Sequence, residues 1–133
     1  MPGGTVVIVE DAATWATALE MAFLAIPGVN VTVLPTAQEA LGLLDRGDCA
    51  VRAIVTDLNM PRMDGFEFIE RIRAEPRHHQ LPIIVVSGDT DPHTPERVAS
   101  IGANAFFPKP YSPTQVRLKL EQLLDATSAD RSP

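Results

Sequence analysis

Side chains that could bind a metal ion and a phosphoryl group follow four apolar segments of this chain. Glu10 and Asp11 follow the first segment, and Asp57 ends a second one. Ser87 and Lys109 end two more. Short apolar runs are typical of buried strands, and the carboxyl ends of parallel strands meet at one edge of a sheet. We therefore expect the three carboxylates, the hydroxyl and the ammonium group to lie close together.

The three carboxylates predict a bound cation. Carboxylates held close together repel one another, and protonation of one would remove an anionic ligand. Mg2+ relieves this repulsion, since it prefers hard oxygen ligands, few carboxylates and retained waters that leave room for a phosphate oxygen. The segment after Asp57 has the composition of an exposed loop because proline and glycine interrupt it; it reads Leu58-Asn59-Met60-Pro61-Arg62-Met63-Asp64-Gly65.

Apolar strand patterns alternate with helical patterns along the whole chain. The predicted strands are residues 5–9, 29–34, 53–56, 83–86 and 105–107, and the predicted helices are residues 13–25, 37–46, 65–75, 95–101 and 113–125. This alternation predicts an α/β fold, a doubly wound (βα)5 parallel sheet with right-handed crossovers. Pro108 interrupts the fifth strand, and proline is tolerated mainly at a sheet edge. The flavodoxin-like strand order 2-1-3-4-5 places the fifth strand at an edge.

Helix starts are marked by a capping residue followed three positions later by Glu or Gln. The predicted pairs are Thr36 with Glu39, Asp64 with Glu67, and Ser112 with Gln115. The fourth helix is expected to begin just after Thr94. Pro95 supports this start, because proline is well tolerated in the first turn of a helix.

Five elements, in this order, resemble a response-regulator receiver domain of two-component signalling. The resemblance covers roughly residues 5 to 125 and rests on Glu10-Asp11, Asp57, the segment 60–65, Ser87-Gly88 and Lys109-Pro110. The family more often has Asp-Asp where this chain has Glu10-Asp11. The departure affects the detailed geometry of the metal site.

The resemblance implies a role for each of these side chains. Asp57 would accept a phosphoryl group from a phosphohistidine on a sensor histidine kinase or a histidine phosphotransfer protein. Asp11, Asp57 and the backbone carbonyl of Asn59 would hold Mg2+ directly, with Glu10 as an outer ligand through water. The resemblance also implies that Ser87 donates to a phosphoryl oxygen. Lys109 would offset negative charge there, and its bond to Pro110 would be cis.

Phe106 is the residue that the resemblance assigns to signal output. In the family, an aromatic side chain in the fifth strand moves together with the hydroxyl after the fourth strand. The surface of the fourth helix, fifth strand and fifth helix would then switch toward a downstream protein target or effector domain. A permanently buried Phe106 is the alternative interpretation. Phe107 should point to the opposite face and belong to the core.

Two further features leave alternatives open. Trp15 aligns at helical spacing with Leu19 and Phe23, which favours the edge of the core over a partner contact. Asn59 and Asp89 match the positions that control water access to the phosphoryl group, and the pair resembles that of chemotaxis-type regulators. A short-lived phosphorylated state is therefore expected, unless both are only solvated loop residues.

Length and composition fit one cytoplasmic domain. The chain has 133 residues, of which 45% are hydrophobic, and no apolar run nears the roughly 20 residues needed to span a membrane. We expect residues 1–125 to form the receiver domain and residues 126–133 to be a short polar tail or the start of a linker. The net charge of −6 argues against direct nucleic-acid binding.

Three other classes of protein share parts of this pattern. An aspartyl-nucleophile phosphatase of the haloacid dehalogenase type needs a second acid two residues after the nucleophile, where this chain has Asn59. A flavodoxin-like electron carrier must hold an anionic phosphate in its first loop, which Glu10 and Asp11 would repel. A magnesium-free pseudo-receiver that only binds proteins is the nearest rival. The cognate kinase, pathway, output and oligomeric state are left open.

Overall fold

The structure is a computed structural model that describes residues 4–47, 50–60 and 62–131. Its strands are β1 (Thr5–Val9), β2 (Asn30–Leu34), β3 (Val51–Asp57), β4 (Ile83–Ser87) and β5 (Ala105–Pro108). Its helices are α1 (Ala13–Phe23), α2 (Ala37–Arg46), α3 (Gly65–Ala74), α4 (Thr94–Ser100) and α5 (Pro113–Arg131), with a 3-10 turn at Pro76–His78.

The five strands form one parallel sheet in the order β2-β1-β3-β4-β5. The predicted (βα)5 fold and strand order are therefore confirmed. Pro108 ends β5 at the edge of the sheet, where its missing N–H interrupts no ladder between two strands.

Alternate strand residues supply two separate cores, one on each face of the sheet. Val7, Ile54 and Val85 face α2, α3 and α4, and they pack with buried residues of these helices such as Phe68. The neighbouring residues in each strand face α1 and α5, where the buried helix residues are Leu19, Phe23, Val116, Leu120 and Leu124. Three helices thus cover one face and two cover the other.

Local capping accounts for three helix starts. The Thr36 Oγ1 accepts the Glu39 N–H at 3.2 Å, and the Asp64 carboxylate accepts the Glu67 N–H at 2.9 Å. Ser112 Oγ accepts the Gln115 N–H at 3.3 Å. Helix α4 begins one residue earlier than predicted, with His93 as its N-cap. The Asp91 carboxylate accepts the His93 N–H at 2.9 Å and turns the chain there.

Helix ends differ more from the prediction. Helix α3 ends at Ala74 because the residue before Pro76 is disfavoured in helical conformation, and Glu75 is extended. Helix α5 continues to Arg131, whereas the sequence predicted its end near residue 125. Residues 126–131 contain no glycine or proline and include good helix formers, so nothing local stops the helix. The rest of the predicted tail, Ser132 and Pro133, lies outside the described residues.

Among the described residues, no helix is both long enough and apolar enough to cross a membrane.

Candidate functional site

The carboxyl ends of β1, β3, β4 and β5 lie side by side at one edge of the sheet. Asp57 is paired in register with Val86, and Ser87 is paired with Pro108. Each strand therefore ends beside its neighbour, and the polar residues that follow β1 and β5 or end β3 and β4 are delivered to the same edge.

Three acidic side chains meet there. Carboxylate oxygens of Glu10, Asp11 and Asp57 lie within 4.8 Å of one another. Glu10 and Asp57 are buried, with 2% and 4% of their surface exposed, whereas Asp11 is exposed. The Ala12 N–H donates to Glu10 Oε2 at 3.1 Å and fixes this carboxylate against the start of α1.

Lys109 joins two of these acids across the sheet edge. Its Nζ donates to Glu10 Oε1 and to Asp57 Oδ2, each at 2.8 Å. Only 14% of the lysine side chain is exposed. Its main-chain N–H donates to the Ser87 carbonyl at 2.7 Å, and the Lys109–Pro110 peptide bond is cis. The sequence predicted Lys109 at this edge but not its direct ion pair with Glu10.

The pKa values of this pair reflect burial and mutual attraction. Burial raises the pKa of Glu10, and the hydrogen bonds from Lys109 and Ala12 only partly oppose this. Burial by itself would lower the pKa of Lys109, but hydrogen bonds to Asp57 and Glu10, with their charges, raise it overall. Lys109 is therefore held as an ammonium ion at the pocket.

The charge balance of the site fits a divalent cation. Three carboxylates face one ammonium group, so the described site carries an excess of negative charge. The donor atoms are all hard oxygens, which Mg2+ prefers over nitrogen or sulfur ligands. Asp11 is the most accessible of the three acids and could bind an ion that enters from solvent.

Asn59 and Ser87 flank the acidic cluster through different contacts. The Asn59 N–H donates to Asp57 Oδ1 at 3.0 Å, while its side chain is exposed. Ser87 is fully buried at the end of β4, and its Oγ accepts the Asp89 N–H at 3.0 Å. These contacts fix the Asp57 carboxylate and the Ser87 hydroxyl oxygen in place.

Helix α3 begins directly against the loop that carries Asp57. The Gly65 N–H donates to the Leu58 carbonyl at 2.8 Å. A Cβ at Gly65 would lie 2.6 Å from Leu58 Cα and 2.9 Å from the Asp57 carbonyl oxygen, closer than real Cβ atoms approach. Glycine is therefore required here for close approach of the backbones. Pro61, in the same loop, lies outside the described residues.

Comparison with known proteins agrees with this geometry. The family model for the response regulator receiver domain matches residues 6–121. The chain belongs to the response-regulator receiver domain family. A chemotaxis protein CheY homolog of Campylobacter jejuni is 28% identical over 123 residues, which cover 92% of this chain and 94% of that protein. An uncharacterized 14.6 kDa protein of Leptolyngbya boryana is 36% identical over 95 residues, or 71% of each chain.

Solved structures share the fold of this chain. The signal receiver domain of a signal transduction histidine kinase from Syntrophus aciditrophicus superposes with a TM-score of 0.83 at 25% identity. The superposition covers 98% of this chain and 96% of that receiver domain. Chemotaxis response regulator CheY4 of Vibrio cholerae also shares the fold, with a TM-score of 0.78 at 24% identity. The match covers 90% of this chain and 97% of that one.

Phe106 of this receiver domain lies away from the acidic cluster. It packs, partly buried, against the core beneath α3 and α4, and with Val98 and Ala103 it lines a cavity of about 70 Å³. Phe107 packs in the core on the opposite face, as predicted. The structure thus brings the other predicted site residues to one edge of the sheet. Phe106, in β5, lies instead on the face of the sheet that α3 and α4 cover.

Two aromatic residues of the receiver domain were not predicted as part of the site. The rings of Trp15 and Tyr111 are in contact, with 4.7 Å between centroids and 35° between the ring planes, and Lys109 Nζ lies 5.2 Å from the centre of the Trp15 ring. The Tyr111 hydroxyl is buried without a hydrogen-bond partner among the described residues. Burial, then the charges of Glu10 and Asp57, raises its pKa strongly. The available signal was position, since Trp15 follows Asp11 by four residues and Tyr111 follows Lys109 by two.

Proposed function

We propose that this receiver domain accepts a phosphoryl group on Asp57. One observation carries the proposal: the buried Asp57 carboxylate shares its surroundings with two further carboxylates and one ammonium group. Such a set neutralises charge on a phosphoryl group and positions it, which is most of what phosphoryl transfer requires of a protein.

The transfer is a displacement at phosphorus. A carboxylate oxygen of Asp57 attacks the phosphorus of a phosphohistidine, an O–P bond forms, and the N–P bond breaks. The electron pair of that bond returns to the imidazole of the donor, which takes up a proton from solvent. The product is an acyl phosphate on Asp57 and an unmodified histidine. The donor is a sensor histidine kinase or a histidine phosphotransfer protein.

The metal ligands in this proposal are Asp11, Asp57 and the backbone carbonyl of Asn59, with Glu10 acting through water. Mg2+ bound there supplies positive charge against the phosphoryl oxygens. Asp11 is poised for this role because it is exposed and the other two acids are bonded to Lys109.

Lys109 and Ser87 act on the phosphoryl group itself. The Lys109 ammonium already bonds Asp57 Oδ2, and it transfers this hydrogen bond to a phosphoryl oxygen once the acyl phosphate forms. The Ser87 Oγ accepts a backbone N–H, so its own proton is free to be donated to another phosphoryl oxygen.

The output of the site passes through β5. Lys109 follows β5 directly, and its N–H bonds Ser87, so a shift at either residue reaches Phe106 through one short strand. A small pocket adjoins Phe106 between α4 and β5, and in this proposal the ring shifts into it. The α4–β5–α5 surface would then change its affinity for a downstream protein target or effector domain.

Phosphorylation by acetyl phosphate tests the proposal directly. Wild-type protein with Mg2+ should gain one phosphoryl group by intact-protein mass spectrometry, and Asp57→Asn should gain none. Asp45→Asn removes an exposed carboxylate on α2 and serves as the matched control, which should be labelled like wild type. Labelling of Asp57→Asn would refute Asp57 as the acceptor. A wild-type protein that is labelled neither by acetyl phosphate in Mg2+ nor by a histidine donor would favour the magnesium-free interaction module.

A further inference from the structure

The Lys109 ammonium is enclosed on two sides by different kinds of group. Two carboxylates accept its hydrogen bonds, and the Trp15 ring lies 5.2 Å from Nζ. An ammonium within about 6 Å of an indole centre is attracted by the negative face of the ring, and the attraction grows when the pair is shielded from water. With 14% of its side chain exposed, Lys109 meets that condition.

The structure fixes Trp15 independently of the lysine. Its helix, α1, is anchored by the buried Leu19 and Phe23, which follow Trp15 on the same helical face. The Tyr111 ring contacts the indole at 4.7 Å between centroids, with the ring planes tilted by 35°, and Tyr111 itself packs against the core beneath α1 and α5. The indole is therefore held between a buried helix and a packed aromatic ring.

We propose that Trp15 is a positioning residue that holds the Lys109 ammonium toward Glu10 and Asp57, with Tyr111 supporting the indole. This inference rests on the proposed function of Asp57. It adds a role for two side chains that neither bind metal nor contact the reacting atoms.

The consequence for phosphoryl binding is preorganisation. Lys109 must move one hydrogen bond from Asp57 Oδ2 to a phosphoryl oxygen while it keeps its hydrogen bond to Glu10. A lysine has a long, flexible side chain, and fixing it on binding costs conformational entropy. The Trp15 ring restricts the ammonium to the side of the pocket where the phosphoryl oxygens arrive, so less freedom is lost on binding.

Beryllofluoride, a phosphoryl mimic, tests this role through its dissociation constant in Mg2+, measured by fluorine NMR. Trp15→Leu keeps apolar volume but removes the aromatic face, and should weaken binding roughly threefold to tenfold. Trp15→Phe keeps a smaller ring and should lose less. Met21→Ala changes an exposed residue of the same helix and should bind like wild type.

A double-mutant comparison separates positioning from general damage to the pocket. If Trp15 acts through Lys109, Trp15→Leu should have no further effect in a Lys109→Met background. An equal loss in both backgrounds would overturn the proposal, as would wild-type affinity in Trp15→Leu.

Proton NMR of the unliganded protein gives a readout that does not depend on phosphorylation. The Lys109 ε-methylene protons should be shifted upfield by the indole ring current in wild type, and the shift should disappear in Trp15→Leu. Absence of a shift in wild type would overturn the proposal. Failure of wild type to bind beryllofluoride would instead overturn the proposed function, and the ε-methylene shift would still decide whether Trp15 orders the ammonium.

Discussion

Replacing Gly65 with alanine tests how closely helix α3 must approach the end of β3. The added Cβ would lie 2.6 Å from Leu58 Cα, 2.7 Å from Leu58 Cδ2 and 2.9 Å from the Asp57 carbonyl oxygen. The Leu58 methyl group could rotate away. The other two atoms belong to the backbone of the loop that presents Asp57, so relief requires α3 or this loop to move.

The expected loss of stability is about 2 kcal/mol. Inserting a methyl group into a packed site costs about 1–3 kcal/mol. Weakening the hydrogen bond from the Gly65 N–H to the Leu58 carbonyl adds roughly 1 kcal/mol. Alanine restricts the unfolded chain and offsets about 0.4–1 kcal/mol of this. The melting temperature should fall by roughly 6–10 °C.

Gly42→Ala is the matched control. Gly42 lies inside α2, and a Cβ there meets no atom of the described residues within 4 Å. Alanine is favoured over glycine in a helix interior by about 0.8–1 kcal/mol, so this variant should be more stable than wild type. The same substitution should thus lower the free energy of unfolding at Gly65 and raise it at Gly42.

Urea unfolding followed by circular dichroism would measure both effects, with beryllofluoride binding in parallel. Gly65→Ala should also bind beryllofluoride more weakly, because the displaced backbone includes the Asp57 carbonyl. Gly42→Ala should bind it normally. A Gly65→Ala protein with wild-type stability and affinity would refute the argument that this close approach positions the site.

Other parts of the molecule give further expectations. Asp11→Ala should weaken Mg2+ binding at least about tenfold in calorimetry, because a direct ligand is lost; unchanged affinity would contradict the ligand set. Thr36→Ala should lower the free energy of unfolding by about 1 kcal/mol, since the α2 cap is lost, and an unchanged value would show that the cap contributes nothing. Tyr111→Phe removes a buried hydroxyl that has no hydrogen-bond partner among the described residues, and should leave stability equal or higher by about 1 kcal/mol; a loss would reveal a hidden partner. Asn59→Met and Asp89→Arg should each slow the decay of phosphorylated protein by obstructing water, and unchanged decay would refute control by these side chains.

The sequence predicted most of the fold because the relevant signals are local. Strand composition, helical spacing and capping pairs each act within a few residues, and Thr36, Asp64 and Ser112 cap their helices as predicted. Element ends were less accurate. The predicted end of α5 was wrong because the sequence near residue 125 has no signal that stops a helix. The start of α4 differed by one residue because it depends on a turn at Asp91.

The sequence was also sufficient to place the chain in the receiver-domain family, which the family match over residues 6–121 confirms. It grouped Glu10, Asp57 and Lys109 at one edge of the sheet because parallel strands deliver their carboxyl ends together. The individual roles of these residues, with those of Asn59, Ser87 and Phe106, stay predictions, as does the domain boundary at residue 125.

Only the tertiary structure decided which of these groups touch. Glu10 and Lys109 are 99 positions apart in sequence, and they meet because long side chains reach across the ends of the intervening strands. The Trp15 ring faces Lys109 because packing against Tyr111 and the buried face of α1 sets its position. Helical spacing assigned Trp15 to a face of its helix, but a contact between separate elements depends on how the elements pack. Packing is a property of the whole fold, whereas propensities and caps are written within single segments.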